Sequence, residues 1–315
     1  MTRHSDSALV IGCGGTLGFA WTAAVLDALH TRAGWDPGAA RFLIGTSAGA
    51  EAVAMLGAGI PASAILGALT GSDGDPVVSA HLRRSPGRFP PVPSPRWPAT
   101  GLVRAARRGQ VDRTAGLAGL LPLGRGDAGW LRDLGDALAT ENGWVAHPAT
   151  WCVATDLTGQ RVAFGSPEAP SANLGEAIAA SWAIPGWFPP VPIGGRLFLD
   201  GGTVSPTSAD LLLGHDVEEV VVIAPMSSES GALARGFSRA ERLLRAAMTR
   251  RLDDEVRRLR AAGSRVIRIE PSQRDLDAMG ANFMDGRRRE RVLDTAMSTA
   301  PDLLDQAFEG QGARS

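Results

Sequence analysis

Residues 41–50 read Arg-Phe-Leu-Ile-Gly-Thr-Ser-Ala-Gly-Ala. Three apolar residues suited to a strand run straight into Gly-x-Ser-x-Gly, and small residues suited to a close-packed helix follow. This stretch constrains the fold more than any other, because a direct strand-to-helix turn around a serine is the form of a nucleophile elbow. Such a turn forces Ser47 into strained backbone and lifts its hydroxyl clear of its neighbours. Gly45 and Gly49 suit it, since side chains there would collide with the adjacent strand or a substrate. Ser47 also stands at a helix N-terminus, where free N–H groups favour developing negative charge. The same letters occur in Gly/Ser/Ala turns with no chemistry, so the elbow needs partners.

The rest of the chain supplies an α/β frame. Ala8–Ile11 reads as a short strand, followed by the glycine loop Gly12-Cys13-Gly14-Gly15-Thr16-Leu17-Gly18 and a helix from about Leu17 to His30. Leu17, Trp21, Ala24, Val25 and Ala28 fall at helical spacing there. The elbow helix runs from Ala48 to about Leu56. Thr150–Thr155 and Gln160–Phe164 read as a hairpin around Asp156-Leu157-Thr158-Gly159. Asn173 and Glu176 form a capping box opening a helix to Trp182, which Pro185 ends. Arg196–Leu199 is a strand leading into Asp200-Gly201-Gly202. Ser205-Pro206 starts a short helix to Leu213. Val217–Ala224 is the continuous apolar run of a buried parallel strand. Ser238 and Glu241 cap a long helix ending at Gly263, and Val266–Ile269 is the last strand before closing helices. Strands alternating with helices predict a mostly parallel α/β sheet.

Between Gly71 and Arg113, Pro and Arg dominate, as in Phe89-Pro90-Pro91-Val92-Pro93-Ser94-Pro95. No strand or helix is expected to persist through it. Two readings stay open, a disordered linker or a long mobile cover over a site. Helices are expected around Arg113–Leu120 and Ala128–Thr140. The arginines after residue 236 alternate with acidic residues and read as a solvated helix face.

Bulk properties exclude several classes. Hydrophobic residues make up 44% and charged residues 21%, an ordinary globular balance, and the net charge of −1 gives no case for nucleic acid. Cys13 and Cys152 have no metal-ligand spacing and suit a reducing compartment. The polar start at Met1–Ser7 shows no signal peptide, and no run of about 18 apolar residues suggests a membrane span. These absences predict a cytoplasmic protein, peripheral at a membrane if it meets one. The chain has no Tyr, which removes phenolic acid–base chemistry.

The glycine loop fits neither phosphate-binding pattern. Counted from Gly12, the sixth position of a dinucleotide-binding turn is Leu17, and no Lys follows as in a P-loop. Free backbone N–H groups at a helix start, placed beside an activated serine, make an oxyanion hole. A serine needs a base. His215 follows a downstream acid in sequence but precedes its strand, at the edge opposite to where such sheets build sites. His147 also precedes its strand. Asp200 ends a strand, and Gly201 and Gly202 permit close approach of the backbone. A plain hairpin turn reads the same way. Around Asp200 the sequence is apolar, with Trp182, Ile184, Trp187, Phe188, Val191 and Phe198. Burial of that kind raises a carboxylate pKa toward the range of a general base. Asp156, the rival acid, sits in a simple turn.

At this point the chain resembles the patatin-like phospholipase family. Gly12–Gly18 resembles its oxyanion loop, Gly45-Thr46-Ser47-Ala48-Gly49 its elbow and Asp200-Gly201-Gly202 its aspartate motif. Ala154–Gly159 and Ala179–Pro190 also resemble family segments, so the likeness covers roughly residues 8–225. The resemblance implies a three-layer α/β sandwich with a mostly parallel central sheet. It implies one domain over 8–300, with an insertion or cover at about 71–130. Residues 1–7 would then be a disordered N-terminus and 301–315 a helix end and tail. It implies a lipid acyl hydrolase with Ser47 as nucleophile, Asp200 as base and the amides of Gly12, Cys13, Gly14 and Gly15 as oxyanion hole, with no metal and no cofactor. Two departures stand out: the family often has Gly at the position of Cys13 and a basic residue at that of Leu17. The expected partner is a lipid or other ester. Acyl transfer to another acceptor and a non-catalytic lipid-binding regulator are the alternatives. Oligomeric state is not legible.

Overall fold

The computed structural model describes residues 6–84, 86–228 and 238–312. Strand β1 (Ser7–Ile11) feeds helix α1 (Gly15–Thr31), and β2 (Phe42–Thr46) feeds α2 (Ala48–Gly57). Five helices follow: α3 (Ala62–Thr70), α4 (Pro76–Leu82), α5 (Thr100–Arg107), α6 (Arg113–Ala118) and α7 (Gly129–Leu138). Then come the hairpin β3 (Thr150–Asp156) and β4 (Arg161–Phe164), helix α8 (Leu174–Ser181), and strands β5 (Val191–Ile193) and β6 (Arg196–Asp200). The chain closes with β7 (Glu219–Ile223), α9 (Ser238–Ala261), β8 (Arg265–Ile269), α10 (Gln273–Met279) and α11 (Arg289–Gly312).

One mixed sheet of eight strands organises these elements, with β3, β2, β1, β7 and β8 parallel in that order. Side chains alternate between its faces, as strand geometry requires. Leu9, Ile11, Leu43, Val221 and Ile223 turn toward the core shared with α1, α2, α8 and α11. Ala8, Val10, Ile44, Val220 and Val222 turn the other way, onto Leu252, Val256 and Leu259 of α9. Because both faces are covered, the central strands are apolar without interruption. The fold is α/β, a mostly parallel sheet between helical layers.

Strand β3 has three partners and only two edges. Val153 pairs with Thr46 of β2 and Ala163 of β4, while Ala154 pairs with Asp200 of β6 and Val162 of β4. So β4 holds one edge, and β2 and β6 share the other. They run into it from opposite directions and stop end to end.

Most expected elements form. The Asn173–Glu176 capping box is present with both of its bonds. The Asp156 turn is closed by hydrogen bonds to its carboxylate from the Thr158 amide and hydroxyl and the Gln160 amide. Other expectations are corrected. The Pro/Arg-rich stretch contains two helices. Asp75 accepts the amides of Val77 and Val78, and Pro76 sits in the first turn, where its missing N–H costs nothing. Helix α5 buries Leu102 and Ala105 beside Leu199 of β6. Helix α3 and strand β5 have no counterpart in the sequence reading. Ser205–Leu213 holds only a 3₁₀ turn at Ala209–Leu212. The arginines of α9 are not all solvated: Arg245 is buried, donating to Glu241 and the Pro225 carbonyl.

Residues 1–5 of the expected N-terminal tail, 313–315 of the C-terminal one and the Ser238 side chain lie outside the described residues. Among the described residues no helix is long and apolar enough to cross a membrane.

Candidate active site

Ser47 sits between β2 and α2 with φ +57° and ψ −121°. It is one of three non-glycine residues with positive φ among the described residues. Backbone of this kind costs about 1–3 kcal/mol and persists only where neighbours hold it. Two glycines allow the turn. A Cβ on Gly45 would lie 2.2 Å from the Gly49 carbonyl oxygen, and one on Gly49 would lie 2.1 Å from that of Ile11. A third residue holds it: Ser181 Oγ accepts the Ser47 amide hydrogen at 2.8 Å and donates to the Val153 carbonyl at 2.6 Å. Ser181 was not singled out from sequence. It lies within the family-like stretch Ala179–Pro190, which is the signal that points to it.

Asp200 ends β6 and is buried, like Ser47. Its carboxylate accepts a hydrogen bond from the Gly202 amide at 2.7 Å and lies beside the Ser47 hydroxyl. Burial pushes its pKa up to about 7, and the Ser47 hydroxyl and Gly202 amide pull it only partly the other way. The structure therefore brings Ser47 and Asp200 together and gives the carboxylate proton affinity near neutral pH. Gly201 is sterically required, and Gly202 sits in tight contact. A Cβ on Gly201 would lie 2.6 Å from the Val153 carbonyl oxygen, and one on Gly202 would lie 3.0 Å from both Asp200 Oδ1 and Cys13 Sγ.

The glycine loop meets this pair, but not as four equivalent donors. The Gly12 amide donates to the Ile223 carbonyl at 2.9 Å and the Cys13 amide to that of Pro206 at 2.8 Å. Those two amides tie the loop to the chain after β6 and to the end of β7. Gly14 and Gly15, at the start of α1, have amides with no hydrogen-bond partner among the described residues, as the first helical turn dictates. Both line the same cavity as Ser47 and Asp200. Cys13 has no positive φ, so the loop accommodates it in place of glycine. Burial and the nearby Asp200 charge push its thiol pKa up, which keeps it protonated. Leu17 is fully buried in the core.

The cavity holds about 350 Å³ and opens beside α6 and α9. Its walls are largely apolar, with Leu117, Leu121, Ile184 and Pro185 and, from α9, Leu244 and Met248 among the lining residues. The histidines lie elsewhere. His215 packs tilted against Phe42 and edge-on against Trp151 at the N-terminal edge of the sheet. His147 bonds the Ala40 carbonyl and Thr150 hydroxyl. His81 is buried against Glu51. Asp156 is occupied by its turn and by Arg196. No cluster suited to a metal ion occurs among the described residues.

A family model described as patatin-like phospholipase matches residues 9–213. Among solved structures, the crystal structure of VipD from Legionella pneumophila is similar at 16% identity, with a TM-score of 0.45, covering 96% of this chain and 67% of that one. No curated protein matches the sequence.

Proposed function

The chain belongs to the patatin-like phospholipase family, and from that premise we propose that it hydrolyses carboxylic esters of lipids through a Ser47–Asp200 dyad and an acyl-enzyme. The observation that carries the reading is that Ser47 shares its cavity with a neighbouring buried carboxylate whose pKa is pushed up to about 7. A serine is a weak nucleophile until a base takes its proton, and a carboxylate of ordinary pKa is too weak a base.

The steps follow. Ser47 Oγ attacks the ester carbonyl carbon while its proton passes to Asp200. The carbonyl oxygen becomes an oxyanion facing the amides of Gly14 and Gly15 at the start of α1. The tetrahedral intermediate collapses, and the alcohol leaves with the proton from Asp200. Asp200 then takes a proton from water, which attacks the acyl-enzyme. Ser47 leaves, regains its proton, and the fatty acid is released. The apolar walls suit an acyl chain.

The surface around the mouth suits contact with a lipid aggregate. Leu117, Leu120, Leu121 and Leu243 are exposed, and three of the leucines on this rim, Leu117, Leu121 and Leu244, also line the cavity. Arg104 and Arg107 of α5, which packs against α6, and Arg108 just after it are exposed nearby. We read the segment 71–130 as one side of this rim.

Labelling with a fluorophosphonate tests the dyad. The wild type is expected to be labelled and to release fatty acid from short-chain diacyl lipids. Ser47→Ala is expected to do neither, and Asp200→Asn to lose about 10²- to 10⁴-fold in rate. A wild type that is not labelled, or a Ser47→Ala protein that still cleaves the ester, would refute the mechanism.

A further inference from the structure

The cavity beside Ser47 has one cationic side chain among its described lining residues, Arg251 of α9. Its surroundings explain why it is there and what it leaves unpaired. Arg161 pairs with Asp210 through both nitrogens, at 2.5 and 2.8 Å, and Arg258 adds a third bond to Asp210 at 2.7 Å. Glu255, fully buried, accepts from the Ser205 and Thr207 hydroxyls and from the Ala209 amide. Arg251 reaches these carboxylates only loosely, at 3.3 Å to Glu255 and 3.9 Å to Asp210. Its guanidinium makes no hydrogen bond among the described residues, and the atom that faces Glu255 at 3.3 Å is its buried Nε, so the terminal nitrogens hold no hydrogen bond.

Three guanidinium groups (Arg161, Arg251, Arg258) thus face two carboxylates (Asp210, Glu255). Burial and the neighbouring Asp210 push the Glu255 pKa up, while the Ser205 and Thr207 hydroxyls and Arg161 pull it the other way. The excess positive charge belongs to the member with unused donors, and that member lines the catalytic cavity. The other acid on the wall apart from Asp200 is Asp112, which is exposed at the start of α6 and bonds no helix amide.

Resting on the proposed hydrolase reading, we propose that Arg251 selects esters carrying an anionic oxygen group, holding that group while the acyl chain lies along the apolar wall and the carbonyl meets Ser47. A guanidinium presents forked donors that match a phosphate or a carboxylate, and a charge-assisted pair in a mostly apolar cavity discriminates strongly against a neutral group.

The test separates binding from chemistry. In a Ser47→Ala background, calorimetric binding is measured below the aggregation limit for 1,2-dihexanoylglycerol, its 3-phosphate and its 3-hemisuccinate. The phosphate and hemisuccinate arms distinguish phosphate from carboxylate. Arg251→Met is expected to lower affinity for an anionic ligand, relative to the neutral one, by about tenfold or more, and Arg251→Lys to retain most of the preference. In the catalytic protein the same ratio of kcat/KM values is expected to shift in parallel. Equal weakening toward all three ligands, or an unchanged ratio, would assign Arg251 to the Glu255 scaffold and overturn the proposal. Failure of wild-type protein to cleave any ester, with the anionic preference still present in binding, would overturn the hydrolase reading and leave the role of Arg251 standing.

Discussion

Thr46 and Asp200 pair with adjacent residues on one edge of β3, Thr46 with Val153 and Asp200 with Ala154. Strands β2 and β6 approach that edge from opposite ends. The residue after Thr46 is Ser47, so the shared edge is what brings a serine and a carboxylate side by side in one cavity. Ser181 ties the same point, bonding the Ser47 amide and the Val153 carbonyl.

The pH profile of hydrolysis follows from Asp200. The base must be ionised, and its pKa is about 7. With a neutral ester, kcat/KM is expected to climb tenfold per pH unit below that value and level off above it. A flat profile between pH 5.5 and 8.5 would exclude Asp200 as the base.

The same shift predicts an effect on stability. Asp200 has its folded pKa raised above the ordinary 3.8, so its contribution is fully present below pH 3.8 and is lost as pH rises through about 7. Asp200→Asn removes that loss. Its melting temperature is expected to match wild type near pH 4 and exceed it at pH 8. The gain is on the order of 4 kcal/mol at most. Equal melting temperatures at pH 8 would contradict the burial of an ionised carboxylate.

Ser181→Ala leaves a buried amide and a buried carbonyl without their partner. A stability loss of about 1–3 kcal/mol is expected in denaturant unfolding. The kcat is expected to fall by about tenfold or more as the elbow relaxes, with a smaller change in KM. A protein destabilised but catalytically unaltered would show that Ser181 supports the fold without positioning Ser47.

Gly49→Ala drives a methyl group into the Ile11 carbonyl oxygen, 2.1 Å away, where both partners are backbone. A cost of about 3 kcal/mol or more is expected by chemical denaturation. Gly38→Ala is the control, since the nearest atom to its added carbon is 3.6 Å away. Comparable stability of the two variants would disprove the close approach of α2 to β1.

Leu117→Asp and Leu243→Asp place charge on the exposed rim. Co-sedimentation with phosphatidylcholine vesicles is expected to drop about tenfold for the pair of changes, while labelling of Ser47 persists. Undiminished sedimentation would remove the rim from lipid contact.

The sequence was most legible where structure is local. The elbow, the Asn173 capping box, the Asp156 turn and the buried β7 each depend on a few consecutive residues. The Pro-rich stretch misled because Pro76 reads as a breaker until Asp75 is seen to cap the turn it begins. Helix α3 is short and made largely of small residues, which carry little periodic signal. The inward arginines of α9 were unreadable, because Asp210 and the Pro225 carbonyl must first be placed beside them.

By itself the sequence determined that a serine would occupy a strained turn between strand and helix, that a glycine loop would open the first helix, and that an aspartate would end a late strand. Backbone sterics act between neighbours in the chain, so these follow from order alone. Only the tertiary structure decided that Ser47 and Asp200 share an edge of β3. It also decided that the amides of Gly12 and Cys13 are tied to Pro206 and Ile223 while those of Gly14 and Gly15 are not. Strand pairing and burial act between residues far apart in the chain, and burial is what raises the Asp200 pKa to a value a base can use.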